Sequence, residues 1–339
     1  MKLRVTSLVL IACLSAVTLW AGSTPSPSLL VLAKQAHILE IVDPATLKVV
    51  AKIPAGNDPH EVIASADGRR AYISNYGFGA YNTISVADLI TQKSLPLIDL
   101  GVLHGPHGLA FAGGELYFTA EVNKVIGRFN PATRKIDWIL GTGQDRTHMI
   151  VVSNDLTRIY TSNVNSGTIS IIQKVAETST SGPSPGAQGW EETVLHTGVG
   201  TEGFDVSPDG REIWSAAAQG GTISIINIAA KKVVETLHAN VPRANRLKFT
   251  PDGKYVFVSM LASDGGDLAI FNTATRREIK RLSLGHGAAG ILMQSDGSRA
   301  YVSCSPDNFV AVIDLKTLKE IGRIQTDRGP DGLAWAVRK

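Results

Sequence analysis

One unit recurs along this chain about every 40 to 45 residues, an Asp-Gly turn set between two short apolar runs. It reads Ala64-Ser65-Ala66-Asp67-Gly68 and then Ala71-Tyr72-Ile73-Ser74-Asn75. It returns as Val206-Ser207-Pro208-Asp209-Gly210 with Ile213-Trp214-Ser215, and as Phe249-Thr250-Pro251-Asp252-Gly253 with Tyr255-Val256-Phe257-Val258-Ser259. A further copy is Met293-Gln294-Ser295-Asp296-Gly297 with Ala300-Tyr301-Val302-Ser303, and weaker ones stand at Ser153-Asn154-Asp155 and Ala112-Gly113-Gly114. A period of this length restricts the chain to repeat architectures, because one unit cannot bury its apolar face alone.

Within a unit the chemistry is that of strands and tight turns. Asp-Gly between apolar runs is a strong hairpin signal, since Gly accepts the positive φ that such turns need. The runs are rich in Val, Ile, Tyr, Phe and Thr, which suit a pleated, half-buried surface. Third strands such as Thr83-Ile84-Ser85-Val86-Ala87 follow, then Asx-rich turns such as Asp43-Pro44-Ala45-Thr46 and Asn130-Pro131-Ala132-Thr133, then a fourth strand such as Lys232–Leu237. Four antiparallel strands per unit make the blade of a propeller. Six full units begin near Pro59, Pro106, Thr147, Thr201, Ala244 and Ala288, and residues 29–56 hold the last three strands of another. The terminal Gly329-Pro330-Asp331-Gly332-Leu333-Ala334-Trp335-Ala336-Val337 reads as a first strand with nothing after it. The expectation is an all-β, seven-bladed β-propeller over residues 29–339, its first blade closed by the C-terminal strand. Closure removes the unpaired edges of an open array, and a monomer is expected.

These residues carry a resemblance. Gly-x-x-Pro-His-x-Val followed by Ser-x-Asp-Gly-x-x-x-Tyr-Ile-Ser-Asn resembles the YVTN-repeat propellers, including the YncE-like exported proteins of bacteria. The resemblance spans nearly the whole chain after residue 28. It implies the fold and an exported location but no particular activity, because propellers host binding proteins, lyases, dehydrogenases and electron-transfer partners.

The N-terminus agrees with export. Met1-Lys2-Leu3-Arg4 precedes an apolar run from Val5 to Trp20 and small residues at Ala21-Gly22-Ser23, the pattern of a signal peptide over residues 1–22. The run is shorter than the ~20 residues a membrane span needs, so cleavage rather than anchoring is expected, with a periplasmic or secreted product. Leu10-Ile11-Ala12-Cys13 loosely resembles a lipoprotein cleavage box, the alternative being attachment through Cys13; the apolar Leu14–Trp20 stretch after it argues against that. Residues 23–28 read as a short leader, and the Ser/Pro-rich segment about 175–190 as a surface insertion. Cys304 is the remaining cysteine, so no disulfide framework is expected. The formal charge of +3 falls to +1 without Lys2 and Arg4, and no basic run is present, so nucleic acid is not an expected partner.

Loop type predicts face in a propeller. His60, His104, His107, His148 and His286 lie in loops entering the innermost strands, His37 follows a second-to-third strand loop, and His196 and His238 end fourth strands. All eight histidines therefore fall towards one face. One position aligned across the repeats reads His60, His107, His148, Glu202, Asn245, Ala289 and Asp331 in blade order. It starts the innermost strand and should ring the mouth of the central channel. His60, His107, His148 and Glu202 from four consecutive blades are a plausible set for Zn²⁺, Cu²⁺ or Fe²⁺, or for acid–base work. Capping of strand entries explains such histidines equally well. Asp145, Arg146, Arg243 and Arg246 join the same face as solvated or ion-paired loop charges. Tyr76, Phe78 and Tyr81 form an aromatic rim or pack locally. Asp264-Gly265-Gly266-Asp267 and Asp307-Asn308 lack the carboxylate spacing of a calcium loop.

The sequence contains no His-Glu-x-x-His helix, P-loop or Cys-x-x-Cys-His haem motif. The repeated tryptophan docking motif of quinoprotein dehydrogenases is also missing, which argues against pyrroloquinoline quinone. Three readings remain. The first is an exported binding or scaffold module acting on a protein or small molecule through the histidine-bearing face. The second is a metal-dependent lyase or hydrolase centred on His60, His107, His148 and Glu202. The third is a redox-partner domain without a cofactor of its own.

Overall fold

The computed structural model describes residues 23–176, 188–261 and 266–339. The expected signal peptide, most of the 175–190 insertion and Asp264 and Gly265 lie outside the described residues. Seven four-stranded antiparallel sheets make up the ring, as the repeats require. Blade 1 joins the strands Ser28–Ala33, Ile38–Asp43 and Lys48–Pro54 to Pro330–Ala336 as its innermost strand. Leu30 pairs with Ala334 and Ser28 with Ala336, so both ends of the ring share one sheet. In blades 2 to 7 the innermost strands are Pro59–Ala64, Pro106–Ala112, Thr147–Val152, Thr201–Val206, Ala244–Phe249 and Ala288–Met293.

Position in the blade decides burial. Ser28–Ala33, a second strand, is buried at every residue, whereas the fourth strand Lys48–Pro54 alternates exposed and half-buried along most of its length. Middle strands meet neighbouring blades on both faces and so read as continuous apolar runs; rim strands face water on one side. Aromatic residues fill the seams. Trp214 is fully buried and meets Phe249 edge-on at 5.9 Å, and Tyr301 meets Trp335 of the closing strand at 5.4 Å.

The Asp-Gly turns are locally satisfied. In the first, Asp67 Oδ1 accepts from Ser65 Oγ at 2.5 Å and from the Arg69 N–H at 3.0 Å, with Gly68 at φ +65°. Asp209, Asp252 and Asp296 serve their own turns the same way. The leader packs onto the ring: Thr24 is buried and its hydroxyl donates to the Leu89 carbonyl. Cys304 is a buried free thiol, its pKa pushed up to about 12 by burial. Among the described residues no helix is long and apolar enough to cross a membrane.

Candidate functional site

Three repeated devices build the end of the ring where the inner strands begin. The first is a bulge. Pro59 pairs with Asn75 but Val62 with Ile73, so the inner strand carries one extra residue there. The same shift follows the first residue of the other inner strands of blades 3 to 7, and occurs between Pro330 and Leu333 in blade 1. Bulges release a side chain from the ladder and re-aim it. The residue released is the aligned one: His60, His107, His148, Glu202, Asn245, Ala289 or Asp331.

The second device is a left-handed residue immediately before each inner strand. Asp58, Gly105, Arg146, Gly200, Arg243, Gly287 and Gly329 all have φ between +46° and +82°. Their carbonyls accept from the first residue past the second strand: Tyr76, Glu121, Val164, Ala218, Leu261, Ser305 and Lys34 respectively, at 2.8–3.3 Å. A second ring of side chains is thereby held beside the first. The third device is a hydroxyl on the second strand that clasps the next blade. Thr119 Oγ1 accepts from the Gly108 N–H at 2.9 Å and donates to the His148 carbonyl at 2.7 Å. Ser162, Ser259 and Ser303 donate likewise to the carbonyls of Glu202, Ala289 and Asp331. The inner strands approach so closely that a Cβ at Gly108 would lie 2.4 Å from the His148 carbonyl oxygen.

All seven aligned residues line one cavity of about 290 Å³. His60, His107 and His148 are 7%, 2% and 1% exposed. The His107 ring stacks on His148, centroids 3.6 Å apart and planes 29° from parallel, and lies 5.1 Å from His60. His148 Nδ1 contacts Glu121 Oε1. The other Glu121 oxygen accepts from Tyr76 Oη at 2.6 Å and Arg146 Nε at 3.3 Å. His148 Nε2 stands 3.4 Å from Glu202 Oε1. That oxygen also accepts from Asn245 Nδ2 at 2.6 Å and Arg246 Nη1 at 3.0 Å. Arg246 reaches on to Glu61 Oε1, tying blade 6 to blade 2 across the channel as well as to blade 5. His60 Nε2 contacts Lys34 Nζ, which is also 3.6 Å from Asp331 Oδ2.

The charges follow from these contacts. Burial lowers the His60 pKa, assisted by Lys34, and holds His107 well below the usual imidazole value, assisted by His148. Burial acts against protonated His148 too, but the hydrogen bond to Glu121 and the nearby Glu202 carboxylate outweigh it and raise its pKa. Burial also opposes ionised Glu202; the nearby His148 and the charges of Arg246 and Arg146 prevail and bring it to about 2. The centre therefore sets His148 between the Glu121 and Glu202 carboxylates, with His107 stacked beside it. Two imidazole nitrogens, His107 Nδ1 and His148 Nε2, are buried without a hydrogen-bond partner.

The sequence-derived positions thus converge on one cavity, but with additions and one change of place. Arg246 is not a loop charge: it lies in the inner strand, 6% exposed, within the ion-pair network. Asp145 is an exposed loop charge paired with Lys124 at 2.7 Å. Of the aromatic loop, Tyr76 is buried on Glu121, whereas Phe78 is 83% exposed at the cavity rim. Asp307 accepts from the His286 N–H at 2.7 Å. Glu121 was not among the sequence candidates. Ligand atoms of His107, Glu121 and His148 lie within 4.8 Å of one another. The signal that would have found it is the residue just past each second strand, which reads Lys34, Tyr76, Glu121, Val164, Ala218, Leu261, Ser305.

No family model matches the chain, and no curated protein does. Solved structures share its fold. A functionally unknown protein of Desulfotomaculum acetoxidans has a TM-score of 0.73 at 14% identity, covering 93% of this chain and all of its own. A candidate 6-phosphogluconolactonase of Bacteroides uniformis gives 0.72 at 14% identity, over 91% of this chain and 99% of that one. A chain of Kuenenia stuttgartiensis hydrazine synthase gives 0.66 at 20% identity, over 81% and 89%. At these identities the likeness establishes the β-propeller and nothing about chemistry.

Proposed function

We propose that this chain is an exported binding module whose ligand seats in the mouth of the central channel. The observation that carries the reading is the cavity: seven equivalent bulged positions deliver seven side chains to it, two of them buried imidazoles with an unpartnered nitrogen. A buried polar atom left without a partner costs roughly 1–3 kcal/mol, so a ligand that supplies the partner stabilises the native ring. The volume suits a small polar molecule or ion. The basic-apolar-small pattern of residues 1–22 and the resemblance to YVTN-repeat propellers support export.

A metal-dependent lyase or hydrolase is the second reading, favoured by one further observation. Glu121 holds His148 through Nδ1 and turns Nε2 towards Glu202, the orienter-and-base arrangement of acid–base sites. Native mass spectrometry of untagged protein recovered from a bacterial periplasm tests the binding reading. A stoichiometric adduct that disappears in a His107→Leu, His148→Leu double variant is expected. The reading fails if the wild type carries no adduct and cross-links to a captured partner map to the Asp-Gly turns instead.

A further inference from the structure

We propose that His148, His107 and Glu202 coordinate one first-row divalent ion of the Zn²⁺ or Cu²⁺ kind, and that Glu121 stands outside the coordination shell to orient His148. This rests on reading the channel mouth as a ligand site. Three observations assign the roles.

Glu121 is already committed. Its oxygens meet His148 Nδ1, Tyr76 Oη and Arg146 Nε. A carboxylate that receives one ring N–H of a histidine fixes the tautomer and leaves the other nitrogen free for a metal. Placing the ion between Glu121 and His148 Nδ1 would break that contact and leave Nε2 unpaired. Glu121 is therefore a positioning residue, although it lies close to both histidines.

His148 Nε2 is the vacant donor, buried and without a hydrogen bond. Glu202 Oε1 lies 3.4 Å from it. Two ligands about 2.0–2.2 Å from a zinc-like ion at a tetrahedral angle stand about 3.3–3.6 Å apart. The separation already matches. Asn245 and Arg246 hold the carboxylate in place, and Glu61 keeps Arg246 compensated when Glu202 shares electrons with an ion.

His107 supplies the third donor. Its Nδ1 is buried and unpartnered, and its ring lies against His148. Coordination would require a turn about its Cβ–Cγ bond, out of the stack on His148, to aim that lone pair at the ion. The fourth position then faces the cavity. His60 is excluded because Lys34 engages its Nε2 and its Nδ1 is 3.2 Å from the Asp58 carbonyl. Two imidazoles and a carboxylate select zinc-like or copper-like ions over Mg²⁺ and Ca²⁺, which prefer oxygen donors.

Chelator-treated protein without an affinity tag is titrated with Co²⁺, whose visible absorption reports coordination, and then with Zn²⁺ as competitor. One ion per chain is expected, with tetrahedral-type absorption displaced by Zn²⁺ but not by Mg²⁺. Glu202→Gln and His107→Asn should abolish it, Glu121→Gln should weaken it 10–100-fold, and His60→Ala should leave it unchanged. His148→Ala should also abolish it; if that variant does not fold, Glu202→Gln and His107→Asn decide. Absence of saturable binding to the wild type overturns the inference, as does unchanged affinity in Glu202→Gln or loss of binding in His60→Ala. If the ion fails while native mass spectrometry still finds an organic adduct dependent on His107 and His148, the metal falls and the binding reading stands. If neither is found, both fall.

Discussion

The two ends of the inner strands are each built on a repeated backbone and use the repetition in opposite ways. At the Asp-Gly end, blades 2, 5, 6 and 7 repeat the same solution: Asp67, Asp209, Asp252 and Asp296 each accept from an N–H two residues on. These carboxylates are exposed or nearly so, and every turn satisfies itself. At the mouth end the backbone repeats just as strictly, through the bulge, the left-handed entry residue and its hydrogen bond. The side chains there do not repeat: three imidazoles, two carboxylates, an amide and a methyl group occupy equivalent places. Identical residues on a repeated backbone are turn chemistry. Different residues on a repeated backbone, buried and facing one cavity, are what a site looks like.

The largest expected effect sets the ends against each other directly. Arg246→Met leaves Glu61 and Glu202 without their shared cation in the channel. Removing one partner of a buried pair costs about 3–5 kcal/mol, whereas Asp209→Ala at an exposed turn should stay within about 1 kcal/mol. Urea denaturation measures both, and a small loss for Arg246→Met would show that the network at the mouth is a surface feature after all. An intermediate effect separates two buried second-strand serines. Ser259→Ala strands the Arg246 N–H and the Ala289 carbonyl and should cost about 1–3 kcal/mol, while Ser215→Ala removes a buried hydroxyl that bonds nothing and should be nearly neutral. Equal losses would remove the inter-blade clasp from the account. The smallest contrast lies within blade 5. A Cβ at Gly203 would lie 2.7 Å from the Arg246 backbone, so Gly203→Ala should cost about 1–3 kcal/mol. Gly210→Ala has open space and only its positive φ to strain, about 1 kcal/mol. Thermal melts of the two variants should rank in that order.

These contrasts also explain what the sequence could and could not disclose. The Asp-Gly turns announce themselves because their chemistry is local, complete within five or six residues. The aligned column is legible for a related reason, since counting back from each turn reaches the same strand position. Glu121 escaped because its role depends on a second column, defined from the end of the second strand rather than from the turn. Arg246 was misplaced for a different cause. It and Glu61 are 185 residues apart, and nothing between them hints at contact until the ring closes and brings blade 6 across from blade 2. Local rules yield positions; closure decides which positions meet.

The number of blades has a consequence of its own for whatever occupies the mouth. An odd ring has no diametric partners, so every aligned residue looks across at the gap between two others rather than at its equivalent. Arg246 shows the result, reaching past the axis to blade 2 while resting on blade 5. A guest at the centre therefore meets a lopsided field with a charged, imidazole-rich arc on one side and Asn245, Ala289 and Asp331 on the other. The unevenness comes from the side chains alone, since the backbone that carries them repeats seven times around the axis.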